Sequence, residues 1–247
     1  MGTVAELWRH PIKSHGRETL AAVDLSAGKC VPWDRHWAVT HDLTKYDGSG
    51  WARCQNFMIG TRTPKLAGIW AEFDEALGQI TLRHQDIGAI TFDPNEDADA
   101  FLKWIAPLCP TDRAVPTGIV AADGRGMTDS DYPSVSIMTR ASHAAVEDAI
   151  GKPLELERWR GNIWLDGTQP FEEFEWIGKT IRIGTAELEI REPIERCMHT
   201  ASNPVTGERD ADTLGTLNSK FGHQNFGIYA VVTKDGHVAL GDQSEVL

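Results

Sequence analysis

The strongest constraint on the fold is a two-residue alternation of apolar and polar side chains that recurs along the chain. It is clearest over residues 180–191, where charged residues alternate with Ile181, Ile183, Leu188 and Ile190. This period predicts half-buried strands, because successive side chains of a strand point to opposite faces. Similar stretches predict strands at 4–9, 37–40, 69–73, 80–83, 228–233 and 237–240. Lys234-Asp235-Gly236 predicts a hairpin between the last two.

Helical patterns are fewer and shorter. One is predicted to begin at Asp93-Pro94 and to end before Pro107, and another to run from Thr213 to Phe221 and to end at Gly222. A third is predicted from near Thr139 to Gly151, with three inward-facing residues, Ala144, Val146 and Ile150. Mainly antiparallel strands with a few helices predict a mainly β (α+β) fold built on one or two barrels.

Composition narrows the range of partners. The net charge is -12, and the clustered Lys and Arg that nucleic acids and anionic membranes attract are missing, so neither is expected as a partner. No stretch approaches about eighteen apolar residues, and the first residues do not resemble a signal peptide. The four cysteines lack metal-site spacing. Together these features predict a cytoplasmic protein.

The most reactive candidate is Cys197, within residues 194–200, I-E-R-C-M-H-T. A thiol beside Arg196 that enters a polar turn is placed to be a thiolate, which can attack sulfur or bind a soft metal. The alternative is that Cys197 is a small buried apolar residue, as single cysteines often are. The sequence around it does not by itself decide between these possibilities.

Four polar motifs could bind an anion, although each has a structural alternative. Lys-Ser at 13–14 follows a strand and could bind phosphate, or be an ordinary loop. Asp-Arg at 34–35 could be a surface ion pair. Residues 139–142, T-R-A-S, could bind an anion at a helix N-terminus or simply cap the helix. Residues 158–162, R-W-R-G-N, could bind a ligand through an arginine guanidinium and the asparagine amide. The alternative is that they are charged residues on the exposed face of a strand.

Taken in order, these strings resemble the MOSC domain family, which is related to the C-terminal part of molybdenum-cofactor sulfurase. The resemblance is to the two-part branch that includes the mitochondrial amidoxime-reducing component, and it covers essentially the whole chain. The strings are Pro11-Ile12-Lys13-Ser14, Asp34-Arg35-His36-Trp37, Arg160-Gly161-Asn162, Pro170-Phe171-Glu172-Glu173, Arg196-Cys197-Met198-His199-Thr200, Pro204-Val205-Thr206-Gly207, Phe226-Gly227-Ile228-Tyr229 and Gly241-Asp242.

The resemblance implies a β-rich N-terminal domain at 1–110 and a MOSC β-barrel at 111–247, with molybdenum cofactor (molybdopterin) between them. It implies that Cys197 is the catalytic thiolate and the protein's molybdenum ligand. Lys13, Ser14 and Arg35 would hold the pterin phosphate. The other residues implied to bind or line the cofactor are Thr139, Arg140, Ser142, Arg160, Asn162, Arg196 and Thr200.

Three functions follow from this resemblance. The first is a molybdenum-cofactor-dependent oxidoreductase that reduces N-oxygenated or similar small molecules, with electrons from a separate electron-transfer protein. The second is a sulfur carrier that holds a persulfide on Cys197, supplied by a cysteine desulfurase. The third is a non-catalytic protein that binds or inserts the cofactor. Molybdenum content separates the first from the second, and turnover separates the first from the third.

Overall fold

The computed structural model describes residues 2–122 and 124–247, and within them strands predominate over short helices. The prediction of a mainly β fold is confirmed. No helix in these two ranges has the length and apolar character needed to cross a membrane. The strands are β1 (Gly2–Arg9), β2 (Glu18–Leu20), β3 (Ala22–Leu25), β4 (Trp37–His41), β5 (Trp70–Asp74), β6 (Gln79–His84), β7 (Gly88–Phe92), β8 (Pro116–Ala121), β9 (Val135–Thr139), β10 (Ile163–Asp166), β11 (Thr180–Ile183), β12 (Ala186–Glu195), β13 (Asn225–Lys234), β14 (Gly236–Ala239) and β15 (Gln243–Val246).

Seven strands close into a barrel. Their order is β10-β9-β13-β12-β11-β15-β1, and β1 then pairs with β10 to complete the ring. Six of the seven pairings are antiparallel, and only β9 and β10 run parallel. The predicted alternation is confirmed here, since Ile181, Ile183, Leu188 and Ile190 are at most 1% exposed in the barrel core.

The rest of the first half forms small sheets around a second core. The sheet of β5, β6 and β7 and the pair of β4 with β8 pack on this core, whereas the pair of β3 with β14 packs against the barrel core through Leu25 and Val238. Trp37, Ile80 and Phe101 are among the buried side chains that fill this core. The division at residue 110 remains a prediction, but pairing crosses it, because β1 lies in the barrel and β8 pairs with a strand of the first half.

The predicted hairpin at 234–236 is wrong. Strand β13 is already paired with β12 on one side and with β9 on the other, so it has no free edge for β14. Strand β14 pairs with β3 instead, and Val238 lies opposite Val23. The Lys234-Asp235-Gly236 turn therefore carries the chain out of the barrel.

The helices are α1 (Ala98–Ile105), α2 (Arg140–Ile150) and α3 (Thr213–Thr216). Helix α1 begins later than predicted, and Pro107 lies in a 3-10 turn after it. Helix α2 begins and ends as predicted, with Thr139 as N-cap and Gly151, at a φ of 81°, as C-cap. However, Ala144 is exposed, and Ser142 and His143 face inward with Val146. Helix α3 continues as a π-helical turn to Phe221 before Gly222.

Candidate functional site

A cavity of about 480 Å³, here called the central cavity, lies where the two halves of the chain meet. Side chains from both halves line it. Seven of the predicted site residues are among them: Lys13, Ser14, Arg35, Arg160, Arg196, Cys197 and Thr200. The fold thus brings together residues that are up to 187 positions apart in the sequence.

Cys197 presents its thiol to this cavity. It follows the end of β12 and is the N-cap residue of a 3-10 turn, Met198–Ala201. The residue is exposed, so the alternative of a small buried apolar residue is wrong. Thr61, from the first half, donates a hydrogen bond to Cys197 Sγ at 3.2 Å. Thr200 Oγ1 donates to the Cys197 carbonyl at 3.1 Å, which fixes the turn that carries the thiol.

The backbone is strained at three positions on the cavity wall. Ser14, Arg35 and Arg160 have φ values of 63°, 52° and 51°, and they are three of the five non-glycine residues with positive φ in the described ranges. A left-handed backbone costs an L-residue roughly 1–2 kcal/mol. Such strain persists where surrounding contacts over-determine it, which happens often at functional sites.

Lys13 and Arg35 are held by hydrogen bonds and partly balanced by carboxylates. Lys13 is 3% exposed, and its Nζ donates to the Met127 carbonyl at 2.7 Å and pairs with Asp129 at 2.6 Å. Arg35 pairs with Asp34, which is 1% exposed, and it donates to the Arg160 carbonyl at 3.0 Å. The interpretation of residues 34–35 as a surface ion pair is therefore wrong, because this pair is buried.

Arg160 forms no ion pair within the described residues, and Asp34 and Asp129 offset its charge only in part. Its guanidinium donates to the Gly16 carbonyl at 3.2 Å and forms no ion pair there. Burial, together with the positive charges of Arg35 and Arg17, lowers the pKa of Arg160 to about 9. A buried cation without a partner is unfavourable, so an anion that entered the cavity would be stabilised beside Arg160.

Arg196 connects segments at the end of the barrel next to the Cys197 thiol. Its guanidinium donates to the Phe226 carbonyl at 2.8 Å and to the Trp159 carbonyl at 2.9 Å, and it lies over both rings. Burial lowers the pKa of Arg196 to about 10. These contacts give Arg196 a structural role, and its predicted influence on the Cys197 thiol remains a prediction.

The structure does not place Thr139, Arg140 or Ser142 in the lining of the central cavity, and their contact with the cofactor remains a prediction. The Thr139 and Ser142 hydroxyls donate to the buried Glu173 carboxylate at 3.2 Å and 2.9 Å, and Thr139 also caps α2. Arg140 turns away and pairs with Glu6 at 2.7 Å. The capping alternative therefore accounts for this motif.

Asn162 also lies behind the cavity wall. Its side-chain oxygen accepts hydrogen bonds from Ser136 N and Oγ at 3.1 Å and 2.7 Å, and its amide donates to the Trp8 carbonyl at 3.2 Å. The residue is 2% exposed and is absent from the cavity lining. Its side chain ties β1 to β9, and its contact with the cofactor remains a prediction.

Among the other polar side chains that line the cavity are three to which the sequence analysis assigned no role. Asp129 lies in the polar stretch at 107–131, His199 lies two residues after Cys197, and Tyr229 ends the F-G-I-Y string. Desolvation raises the pKa of Asp129, but the charge and hydrogen bond of Lys13, together with the charges of Arg35 and Arg160, outweigh it, and the net result is a lowered pKa. Burial raises the pKa of Tyr229. All three are polar residues in or near the motifs described above, and that combination could have identified them as candidate site residues.

His199 packs unusually close to the backbone of the first half. A Cβ at Gly60 would lie 1.9 Å from His199 Nδ1, so only glycine fits there. This Nδ1 is buried and has no hydrogen-bond partner among the described residues. Burial and the charges of Arg160 and Arg17 lower the pKa of His199 to about 3, so the imidazole is neutral at physiological pH.

These residues fit a cofactor that combines a phosphate with a soft metal. The only partly balanced Arg160 guanidinium and the buried Lys13 and Arg35 suit a phosphate. The exposed Cys197 thiol suits a soft metal. In the described ranges, no cluster of three or more His, Cys, Asp or Glu residues is arranged to hold a metal ion by itself.

A closed barrel with a thiol at one end and cations contributed by an N-terminal β-rich part defines a two-part cofactor-site architecture. The MOSC domain family model matches residues 126–245, and the model of the MOSC N-terminal beta barrel domain matches residues 1–104. Together they match most of the chain, which belongs to the MOSC domain family.

Individual relatives match to different extents. Mitochondrial amidoxime reducing component 2 of Bos taurus is 24% identical over 294 residues, covering 98% of this chain and 82% of that protein. Molybdenum cofactor sulfurase of Drosophila grimshawi is 38% identical over 108 residues, 40% of this chain and 14% of its own length. That of Anopheles gambiae is 32% identical over 81 residues, 32% of this chain and 10% of its own. This chain therefore matches a small part of each sulfurase.

Among solved structures, the YUAD protein from Bacillus subtilis is similar with a TM-score of 0.48 and 12% identity. The superposition covers 99% of this chain and 94% of that one.

Proposed function

We propose that this chain binds molybdenum cofactor in the central cavity and acts as an oxidoreductase on N-oxygenated small molecules. A separate electron-transfer protein would supply the electrons. The observation that carries this proposal is the single cavity in which the exposed Cys197 thiol meets buried cations from both halves of the chain. The name of the Bos taurus relative, an amidoxime reducing component, agrees with the reduction of N-oxygenated molecules.

Each lining residue has a role in this proposal. Lys13, Ser14, Arg35 and Arg160 would bind the phosphate through their ammonium, hydroxyl and guanidinium donors. The Cys197 thiolate would be the protein's ligand to molybdenum. When bound, the cofactor supplies two-electron oxygen-transfer chemistry that amino-acid side chains do not provide. The protein would orient the cofactor and the substrate, shield the reacting atoms from water and supply protons.

Proton supply is the part of the reaction that the protein itself can perform. Reduction of an N-hydroxylated compound to the parent nitrogen compound and water consumes two electrons and two protons. Tyr229 keeps the proton on its phenolic oxygen at neutral pH because burial raises its pKa. It lines the central cavity, and we assign it the relay of one of the two protons from solvent; because the raised pKa makes this phenol a weak acid, it must regain a proton from solvent as it gives one up.

The test is elemental analysis and turnover of protein made in a host that synthesises molybdenum cofactor. We expect about one molybdenum atom per chain, because the central cavity offers one proposed cofactor site, with Cys197 as its ligand. We also expect reduction of benzamidoxime with a chemical electron donor such as reduced methyl viologen. Protein from this host that contains no molybdenum would contradict the proposal.

The exposure of the Cys197 thiol favours one second candidate, a sulfur carrier. The Cys197 thiolate would attack the persulfide of a cysteine desulfurase, take its sulfane sulfur and leave the desulfurase as a thiol. Intact mass after incubation with a desulfurase and cysteine should show one added sulfur atom, which Cys197→Ala removes and Cys54→Ala retains. An unmodified mass would exclude this function.

A further inference from the structure

A second cavity, of about 340 Å³ and here called the side pocket, adjoins the central cavity. Three residues, Gln55, Ile59 and Arg62, line both cavities. The side pocket therefore continues the central cavity towards the first half of the chain. Its volume is in the range of small-molecule sites in proteins.

The wall of the side pocket is apolar and fixed in place. Phe57 and Met58 are 1% and 4% exposed and form part of the lining, whereas Leu43 is 66% exposed beside them. His41 Nδ1 accepts a hydrogen bond from Leu43 N at 3.2 Å, and its Nε2 donates to the Gln55 carbonyl at 3.0 Å. Since one imidazole connects both sides, the shape of the pocket does not depend on a ligand.

Two guanidinium groups line this pocket without a carboxylate partner. Arg113 donates to the Arg62 backbone carbonyl at 3.4 Å, and neither arginine forms an ion pair in the ranges that the structure describes. Both arginine side chains are exposed to solvent, so their donors are open to a ligand, and Arg62 also lines the central cavity. Guanidinium groups beside an apolar wall match an apolar molecule that carries an anionic group.

We infer that the side pocket binds the carboxylate-bearing, apolar part of the substrate while the reacting N-oxygenated group lies in the central cavity. This inference rests on the proposed function and names its substrate class, an aromatic or alicyclic N-oxygenated acid. Arg62 and Arg113 bind the carboxylate, and Phe57, Met58 and Leu43 contact the ring. Specificity then comes from residues 41–63 of the first half together with Arg113, and the metal ligand comes from the barrel.

The kinetic test compares benzamidoxime with its 3- and 4-carboxylated derivatives, using molybdenum-loaded protein and reduced methyl viologen. We expect higher kcat/KM for at least one carboxylated substrate. Arg113→Gln should reduce the ratio of the two kcat/KM values about tenfold, because a charge-assisted hydrogen bond is lost. Arg53→Gln, an exposed arginine that lines neither cavity, is the matched control and should leave the ratio unchanged.

A binding test needs neither metal nor turnover. Calorimetry with 2-naphthoate should show binding to the unmodified chain and to Arg53→Gln, and no binding to Arg62→Gln/Arg113→Gln. If naphthoate binds in this manner but no amidoxime is reduced, the side pocket stands and the proposed activity fails. If benzamidoxime is reduced but carboxylation confers no advantage and naphthoate does not bind, the activity stands and the side pocket assignment is overturned.

Discussion

The barrel and the first half of the chain bury their cores equally well but organise their backbones differently. Ile137 in the barrel and Ile80 in the first half are both 0% exposed. In the barrel, each of seven strands is paired on both sides, whereas the first half consists of two- and three-stranded sheets. The barrel supplies the thiol from the end of β12, and turns of the first half supply Lys13, Ser14 and Arg35.

This difference in backbone organisation shows how one protein can combine a rigid barrel with site residues supplied by connecting turns. A closed ring of strands holds Cys197 at a fixed end, and the connecting turns bring charge to it from a distance. The strained backbone follows this division, because Ser14 and Arg35 lie on such turns and Arg160 precedes β10. Stability and site geometry therefore depend on different residues. Single substitutions should change one of these two properties without changing the other.

The largest expected effect separates the two cavity thiols. Cys197→Ser should remove nearly all molybdenum from protein made in a cofactor-synthesising host, because the soft ligand is lost. Cys54→Ser, which changes the cavity thiol of the first half, should retain the metal. Elemental analysis measures both. Equal metal contents would mean that the barrel is not the part that provides the ligand.

Core truncation tests whether the two parts fold as one unit. Ile137→Ala and Ile80→Ala should each lower the free energy of unfolding by about 2–5 kcal/mol, because each leaves a cavity in a fully buried core. Gln79→Ala, exposed on the same strand as Ile80, should change it by less than about 0.5 kcal/mol. Denaturant curves should keep a single transition, since β1 and β8 link the parts. A separate early transition in Ile80→Ala would show independent folding.

Replacing Arg160 should affect cofactor binding and the stability of the fold differently. Arg160→Gln should weaken cofactor retention by about ten- to hundredfold, because a charged hydrogen-bond donor is lost. The same change should not destabilise the fold, since it removes a buried cation without a partner. Molybdenum content after gel filtration and a denaturant curve measure the two effects. Arg182→Gln, exposed on the outside of the barrel, is the control and should alter neither.

The smallest expected effect concerns backbone strain. Ser14→Gly should raise the free energy of unfolding by about 0.5–1 kcal/mol, because relief of the left-handed φ exceeds the entropic cost of glycine. Ser26→Gly, at an exposed position without positive φ, should lower it by a similar amount. Chemical denaturation distinguishes the two signs. A loss of stability in Ser14→Gly would show that its hydroxyl contacts matter more than its backbone.

Local patterns predicted most of the fold because they reflect local physics. Alternation located four of the seven barrel strands, β1, β11, β12 and β13, but not β9, β10 or β15, and Thr139 and Gly151 located the ends of α2. The Lys234-Asp235-Gly236 turn failed because its strand partner was decided by β13, whose edges were already occupied. Pairing over long sequence distances, such as that of β14 with β3, leaves no short-range signal.

The site was predictable where its residues carried unusual chemistry and not where they filled common structural roles. Cys197 and Lys13 stood out by type and neighbours, and both line the central cavity. Thr139 and Ser142 matched the family strings but serve the α2 cap and Glu173. Tyr229 was inside one of the family strings, yet only the structure places its side chain in the wall of the central cavity.

Strand β1 has a consequence for how this chain matures. Gly2 pairs with Ser244, so the ring closes only when segments 242 positions apart in the sequence have met. Until then β10 and β15 each present an unpaired backbone edge, which favours association with other chains. A gene split near residue 110 would separate β1 from both partners. The two halves are therefore expected to be inherited and synthesised as one polypeptide, with help from chaperones during assembly.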